Sequence, residues 1–275
     1  MMKVCIVLIA CCIAGCFDLL KYEAKQDVDF LNTENVVFTE VLNELPKNRV
    51  ALREDERTRD ANKELPPCLQ ERSLTSVRGD SYIISVGLHE QGRYCLYSLP
   101  ERDEKYYLSY PGRPDYPGMT EKTKRILYAA SILRLRPDNK AFVCMDRHSG
   151  MIEICNVENQ RIDSVWRHCF YYPQLVVREK NDISVVLYKE ERFCCRDISV
   201  SEKRIYALCF YQPHLKGNDG VYQRMLLVID WLGNILSAFR VDRPVTGIYF
   251  DGSDERLYGY IDGKESRTLV RFNMN

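Results

Sequence analysis

The stretch Met225-Leu-Leu-Val-Ile-Asp-Trp-Leu-Gly-Asn-Ile-Leu-Ser-Ala-Phe239 decides the fold of this chain. Two short apolar runs flank the segment 230–234, where a glycine stands at the place in which a hairpin turn needs a positive φ angle. The runs are rich in strand-forming residues and barely alternate between apolar and polar side chains. The stretch therefore predicts a β-hairpin that other parts of the protein cover on both faces.

Runs of the same kind recur from about residue 74 to the C-terminus, and polar turns separate them. No long stretch there has apolar residues at helical spacing, so we expect no helix in this part of the chain. The predicted strands form four sets, which are Tyr82–Val86, Tyr94–Tyr97 and Tyr106–Tyr110; Ile132–Leu135, Ala141–Met145, Met151–Cys155 and Ile162–Trp166; Asp197–Val200, Ile205–Phe210, Met225–Ile229 and Ile235–Phe239; and Val245–Phe250, Leu257–Ile261 and Leu269–Phe272.

One polar turn recurs in every set, and it precedes an apolar strand. It ends at positions 80, 140, 204 and 256, which we take as corresponding places in a repeat of roughly 60 residues. Four short strands per repeat, without helices, are typical of the blades of a β-propeller. The sequence therefore predicts an all-β fold, a propeller of four-stranded antiparallel blades, with four or five blades in the visible repeat. A β-sandwich with irregular strands is the alternative.

The last set has three strands, and a propeller would take the fourth from the N-terminal part of the chain. Either Val36–Leu42 or Arg49–Leu52 is able to supply this closing strand.

The C-terminal half also carries a family resemblance. The succession LRLRPDNKAFV, DISVSEKRIYAL, LLVIDWLGNILSAFRVDRPV and IYFDGSDERLYGYIDG resembles the TolB-like β-propeller lipoproteins, best from residue 130 onward. The resemblance implies six blades and a lipid anchor. It implies no catalytic residue that maps onto this chain.

The N-terminus has the features of an export signal. Val4–Ala14 is an apolar run that is too short to span a bilayer, which needs about 20 residues. The run ends in Ile13-Ala14-Gly15-Cys16, a lipobox-like sequence in which the cysteine receives lipid. We expect a signal peptide over residues 1–15, a lipidated tether over 16–33 and the propeller domain over 34–275. The protein would then face the periplasm or the exterior as a membrane-anchored lipoprotein; an ordinary signal peptide is the alternative.

The charge balance argues against one class of partner. The chain carries 39 Lys and Arg against 39 Asp and Glu, so no global charge attracts nucleic acid. Cysteines inside apolar runs, such as Cys95, Cys144, Cys155 and Cys209, are expected to be small buried side chains.

No motif for a nucleophilic serine, a phosphate loop or a clustered metal site occurs, so we expect no cofactor and no metal. The segment 217–220 is predicted to be a plain turn, although Asp219 could also bind Ca²⁺ there. The ligand-binding candidates are four tyrosines in aromatic and Pro-rich connections, which either stack on sugars or peptides or pack the connections themselves: Tyr107, Tyr110, Tyr116 and Tyr172.

These observations favour a binding or interaction module over an enzyme. We expect a lipid-anchored propeller of the cell envelope that binds a glycan, a peptide or an envelope protein. The alternative is a Ca²⁺-dependent propeller hydrolase of the lactonase or esterase type.

Overall fold

Antiparallel β-sheets make up most of the computed structural model of the chain. It describes residues 35–42, 61–148, 150–180, 183–188, 193–211, 223–253, 255–263 and 267–274. The signal peptide, Cys16, the tether, the candidate strand Arg49–Leu52 and the turn 217–220 lie outside the described residues. The predictions made for them therefore stay predictions.

Three groups of four antiparallel strands follow one another along the chain, each in sequence order; the first two are separate sheets, and the third is half of an eight-stranded sheet. We call them blades 1, 2 and 3. Blade 1 comprises β2 (Ser73–Arg78), β3 (Tyr82–Gly87), β4 (Tyr94–Ser98) and β5 (Glu104–Tyr107). Blade 2 comprises β6 (Ser131–Leu135), β7 (Ala141–Asp146), β8 (Met151–Glu158) and β9 (Arg161–Cys169). Blade 3 comprises β12 (Phe193–Val200), β13 (Arg204–Tyr211), β14 (Gln223–Asp230) and β15 (Ile235–Val241).

The fourth blade takes its outer strand from the N-terminal side of the chain. Strands β16 (Gly247–Asp251), β17 (Arg256–Asp262) and β18 (Arg267–Asn273) form an antiparallel meander, and β1 (Val36–Leu42) pairs antiparallel with β18. The prediction that the N-terminal part supplies this strand is confirmed, and Val36–Leu42 is the segment that does so. At its start β1 also pairs with the last strand of blade 3, so it ties blades 3 and 4 together.

The repeat seen in the sequence has a simple structural meaning. The turns that end at positions 80, 140, 204 and 256 all join the first strand of a blade to its second. The described residues form four blades of four strands each, of which blades 3 and 4 are joined through β1 into one eight-stranded sheet, and four lies within the predicted four or five. In the quoted hairpin, Gly233 has a φ of +87°, as its turn requires.

Apolar clusters fill the space between consecutive blades, as expected for blades that are covered on both faces. Strands β3 and β7 are buried along their whole length. One cluster joins blades 1 and 2, a larger one joins blades 2 and 3, and a third joins blades 3 and 4. Each sheet thus packs on the next along the chain, which is the arrangement of a β-propeller-like fold rather than of a two-sheet sandwich.

Two features differ from the sequence predictions. Helix α2 (Glu121–Tyr128) lies between blades 1 and 2, where no helix was expected. Only Thr123, Leu127 and Tyr128 are buried on it, so its apolar stripe is too short to give a periodic signal. Strand β2 was also missed, because its sequence SLTSVR is mostly polar.

The remaining elements connect the blades. A short helix, α1 (Pro67–Gln70), precedes blade 1. A two-stranded hairpin, β10 (Leu175–Lys180) and β11 (Ile183–Tyr188), stands between blades 2 and 3.

Candidate functional site

The two ends of the blades differ in the connections that they carry. Short turns join strands 1 and 2 of every blade, and strands 3 and 4 of blades 1 to 3, and antiparallel order puts all of them at one end. The other end carries the long connections, including residues 108–130 and 170–192. We call it the loop end. All four candidate tyrosines lie in or beside connections of the loop end, which sequence reasoning had not anticipated.

Two of these tyrosines use their hydroxyl groups in packing. Tyr107 donates a hydrogen bond of 2.7 Å to the backbone oxygen of Gln160 in blade 2. Tyr110 is buried and donates to the backbone oxygens of Gly87 and His89. Burial raises the pKa of Tyr110 to about 12, so its phenol stays protonated. Both side chains thus hold connections in place.

The other two tyrosines lie where a ligand can reach the loop end. Tyr116 is 45% exposed. Tyr172 is half-buried and lies against the guanidinium of Arg113, whose Cζ is 5.3 Å from the ring centre. Arg113 also donates to the backbone oxygen of Pro173, so it joins the two longest connections. Ligand binding by these tyrosines remains a prediction.

A network of polar contacts joins the first strands of blades 2, 3 and 4 at the centre of the fold. Arg134 on β6 forms an ion pair with Asp197 on β12, with 3.3 Å between Nη2 and Oδ1. Its Nε also donates to the backbone oxygen of Ile198. The second oxygen of Asp197 accepts a hydrogen bond of 2.9 Å from the backbone N–H of Ile248 on β16. The carboxylate therefore links three blades.

Two further arginines lie beside this network, and both are exposed. Arg147 follows β7, and its backbone oxygen accepts a hydrogen bond of 3.1 Å from the backbone N–H of Cys195. Arg196 is the extra residue of a β-bulge in β12, because the register with β13 shifts between Cys195 and Asp197. A bulge turns a side chain away from the regular pleat. We call Arg134, Arg147 and Arg196 the central arginine cluster.

Two of the three guanidinium groups of this cluster form no ion pair within the described part of the chain, although carboxylates lie nearby. Asp197 faces Arg134, and Asp262 in blade 4 forms an ion pair with Arg267, with 2.7 Å between Oδ1 and Nε. The guanidinium groups of Arg147 and Arg196 make no hydrogen bond or ion pair with any described residue. Partial burial lowers the pKa of Arg147, and Arg196 and Arg134 lower it further, whereas the carboxylates of Asp197 and Asp146 act in the opposite direction. The cluster is thus able to accept an anion.

A second group of charges is enclosed between blades 1 and 2. The side chains of Arg93, at the start of β4, and Glu153, in β8, are both 0% exposed, with 3.0 Å between Nη1 and Oε2. Tyr94 donates a hydrogen bond of 2.6 Å to the same oxygen, and Arg167 donates one of 2.8 Å from its Nε to Oε1. Burial alone would raise the pKa of Glu153, but Arg93 and Arg167 hold it below its ordinary value.

This enclosed pair is out of reach of any ligand, so its role is structural. The Arg93 guanidinium also lies over two tyrosine rings, 5.2 Å from the ring centre of Tyr94 and 5.4 Å from that of Tyr128. Sequence reasoning had missed the pair. The available signal was a single charged residue, Glu153, inside the apolar run MIEIC.

Another buried polar group involves His89. Its Nε2 lies 3.1 Å from Ser85 Oγ, which accepts a hydrogen bond from Ser73 Oγ. Burial lowers the pKa of His89 to about 4, so the imidazole is neutral at pH 7. Because Ser85 and His89 are both fully buried, this serine and histidine do not meet a substrate in the folded chain.

Among the described residues, no group of three or more His, Cys, Asp and Glu side chains is arranged to hold a metal ion. No helix in the same ranges is long and apolar enough to cross a bilayer. Asp219, which could also bind Ca²⁺, is not among the described residues, so that possibility stays untested.

Comparisons with known proteins add little to this geometry. No protein-family model and no curated protein matches the chain. Among solved structures, it is similar to an auxiliary nutrient binding protein from Bacteroides thetaiotaomicron VPI-5482, with a TM-score of 0.36, 10% identity and coverage of 70% of this chain and 45% of that one. It is also similar to the tail fiber of Staphylococcus aureus phage P68, with a TM-score of 0.30, 11% identity and coverage of 65% and 37%. The chain spans less than half the length of either protein.

Proposed function

We propose that this chain is a binding protein, held at a membrane by lipid on Cys16, that takes a carboxylate or phosphate group of its ligand at the central arginine cluster. The anchor is supported by the sequence Ile13-Ala14-Gly15-Cys16 at the end of a short apolar run. The ligand class is supported by the charges of the cluster.

The observation that carries the proposal is the pair Arg147 and Arg196. A single exposed arginine is ordinary on a protein surface. Here two exposed guanidinium groups lie near a third, and the ion pairs among the described residues join Asp197 to Arg134 and Asp262 to Arg267 rather than to either of them. A guanidinium presents its N–H donors in a planar fork that matches the two oxygens of a carboxylate or a phosphate. A bound anion would therefore relieve the repulsion and fill the open donor positions.

The location of the cluster agrees with a binding role. Propellers are built from blades around a common centre, and Arg134 and Arg196 belong to the first strands of their blades. The loop end also carries Tyr116, whose exposed ring offers an apolar surface to a sugar or a peptide. The ligand that fits both features best is an acidic glycan or an acidic peptide.

Binding of two probes, hexaglutamate and oligogalacturonate, tests the proposal and separates the peptide from the glycan. We expect the double variant Arg147→Gln/Arg196→Gln to lose at least about tenfold in affinity for the probe that binds, which is about 1.4 kcal/mol. Added salt should weaken the wild type more than the variant, because the contact is between exposed charges.

The matched control is Arg161→Gln, which removes an exposed arginine that pairs with Asp163 at the turn end of blade 2. It should bind within about twofold of the wild type. Isothermal titration calorimetry gives the affinities, and a thermal melt shows whether each variant is folded. Equal affinity of the wild type and the double variant, or binding of neither probe at low salt, would contradict the proposal.

A further inference from the structure

Two neighbouring strands of blade 3 bring a pair of cysteines together. Cys195 on β12 is the register partner of Cys209 on β13. Residues directly opposite each other on antiparallel strands project their side chains to the same face. The two sulfur atoms are 3.8 Å apart, and both side chains are buried. The two thiols are therefore in van der Waals contact.

We propose that Cys195 and Cys209 are joined by a disulfide bond in the mature protein. Opposite residues in an antiparallel pair have Cβ atoms about 4.5–5.5 Å apart, and a disulfide needs about 3.5–4.5 Å. Rotation of the side chains and a small movement of one strand close this gap. Strand β12 is able to move, because it lies at the edge of its sheet and its register with β13 is broken beside Cys195.

The placement distinguishes this pair from the other cysteines. In the described strands, no other two cysteines are register partners. Cys144 lies opposite Glu153, and Cys155 lies opposite Phe142. Those two cysteines are also buried, so they serve as an internal comparison for the effect of register.

The bond forms by exchange with an oxidised disulfide compound, such as oxidised glutathione or a dithiol oxidase. One cysteine thiolate attacks the reagent disulfide, and a mixed disulfide forms while the first reagent thiol leaves. The second cysteine, as a thiolate, then attacks the protein sulfur of the mixed disulfide and releases the second reagent thiol. Two protein thiols are oxidised, and one reagent disulfide is reduced to two thiols.

The thiol–disulfide exchange takes place while the chain folds, not in the folded protein. In the folded, reduced chain, burial raises the pKa of Cys195 well above its ordinary value, and the neighbouring Cys209 raises it further. Little thiolate is then present to react. The cysteines react before blade 2 packs over them, and the bond then fixes the bulge that presents Arg196.

The test is a thiol map of the full chain after oxidative refolding. The reduced, unfolded chain is refolded with reduced and oxidised glutathione, blocked with N-ethylmaleimide and digested for mass spectrometry. We expect one linked peptide that joins Cys195 to Cys209, whereas Cys144 and Cys155 carry the blocking group. In Cys195→Ser, the linked peptide should be absent and Cys209 should be blocked.

Two further measurements keep the inference open to refutation if refolding is inefficient. The chain isolated without reductant from an oxidising compartment should give the same linked peptide. The oxidised protein should also melt higher than the reduced one, by on the order of 5 °C, because the bond closes a short loop. Blocking of both Cys195 and Cys209 in oxidised samples, or linkage of either to a different cysteine, would overturn the proposal.

Discussion

The junction between blades 1 and 2 encloses a charged pair, whereas the junction between blades 2 and 3 encloses a wide apolar core and leaves arginines exposed at the centre. In the first junction, Arg93 and Glu153 are shielded completely from water. In the second, Trp166 of blade 2 packs against blade 3 so closely that a Cβ on Gly233 would lie 2.2 Å from its ring. Arg147 and Arg196 stay exposed beside this core.

The difference teaches how to distinguish a structural arginine from one that is available to a ligand. Burial of a guanidinium costs several kcal/mol unless a carboxylate is held against it, and Arg93 has that carboxylate. Exposed arginines need no partner for stability, and Arg147 and Arg196 form no direct ion pair with a described residue. Loss of a charge partner should therefore affect folding in the first junction, and loss of the arginines themselves should affect binding in the second.

The largest expected effect follows from breaking the enclosed pair. Glu153→Gln leaves Arg93 buried without its ion-pair partner, and we expect a loss of about 3–5 kcal/mol in the free energy of unfolding. Chemical denaturation measures it. The matched control is Asp163→Asn in the same blade, because Asp163 pairs with Arg161 and the two side chains are 61% and 71% exposed. We expect Asp163→Asn to lose less than about 1 kcal/mol in the free energy of unfolding. Similar losses in the two variants would show that enclosure of the pair does not matter.

His89 is a buried base without a carboxylate partner among the described residues, and its contribution to the free energy of unfolding should depend on pH. Its pKa of about 4 in the folded chain lies below the ordinary value of 6.5, so the folded state favours the neutral form. The stability that this gives is complete above pH 6.5 and is lost as the pH falls toward 4. The loss amounts to roughly 3 kcal/mol by linkage.

The variant His89→Gln should lack this part of the pH dependence. The free energy of unfolding, measured at pH 7 and at pH 4 for both proteins, gives the difference, and the carboxylates that titrate in this range contribute to both alike. A wild type that loses no more stability than the variant between these pH values would mean that His89 is protonated when folded.

Much of the fold could be predicted because the information is local. The turns that end at positions 80, 140, 204 and 256 mark the second strand of every blade, and residues such as Gly233 fix the hairpins. Counting strands in the last set predicted that the N-terminal part supplies the closing strand, but it left Val36–Leu42 and Arg49–Leu52 as equal candidates. Helix α2 and strand β2 carry few apolar side chains, so local periodicity did not reveal them.

The candidate site could not be predicted in the same way, because it depends on which residues meet across blades. Arg134, Arg147 and Arg196 are far apart in the sequence and stand next to ordinary strand residues. The tyrosines were visible as aromatic clusters, but their hydroxyl partners, such as the backbone oxygen of Gln160, belong to other blades. A sequence pattern indicates which residues are present, and the packing of the blades decides which are enclosed and which are exposed.

Footprinting with phenylglyoxal, which modifies accessible guanidinium groups, tests the central claim most directly when it is read out by peptide mass spectrometry. In the free protein, Arg147, Arg196 and the control Arg161 should be modified, and Arg93 should not. Saturating hexaglutamate should protect Arg147 and Arg196 and leave Arg161 unchanged. Modification of Arg147 and Arg196 at the same rate with and without the peptide, or modification of Arg93 in the folded chain, would contradict the account.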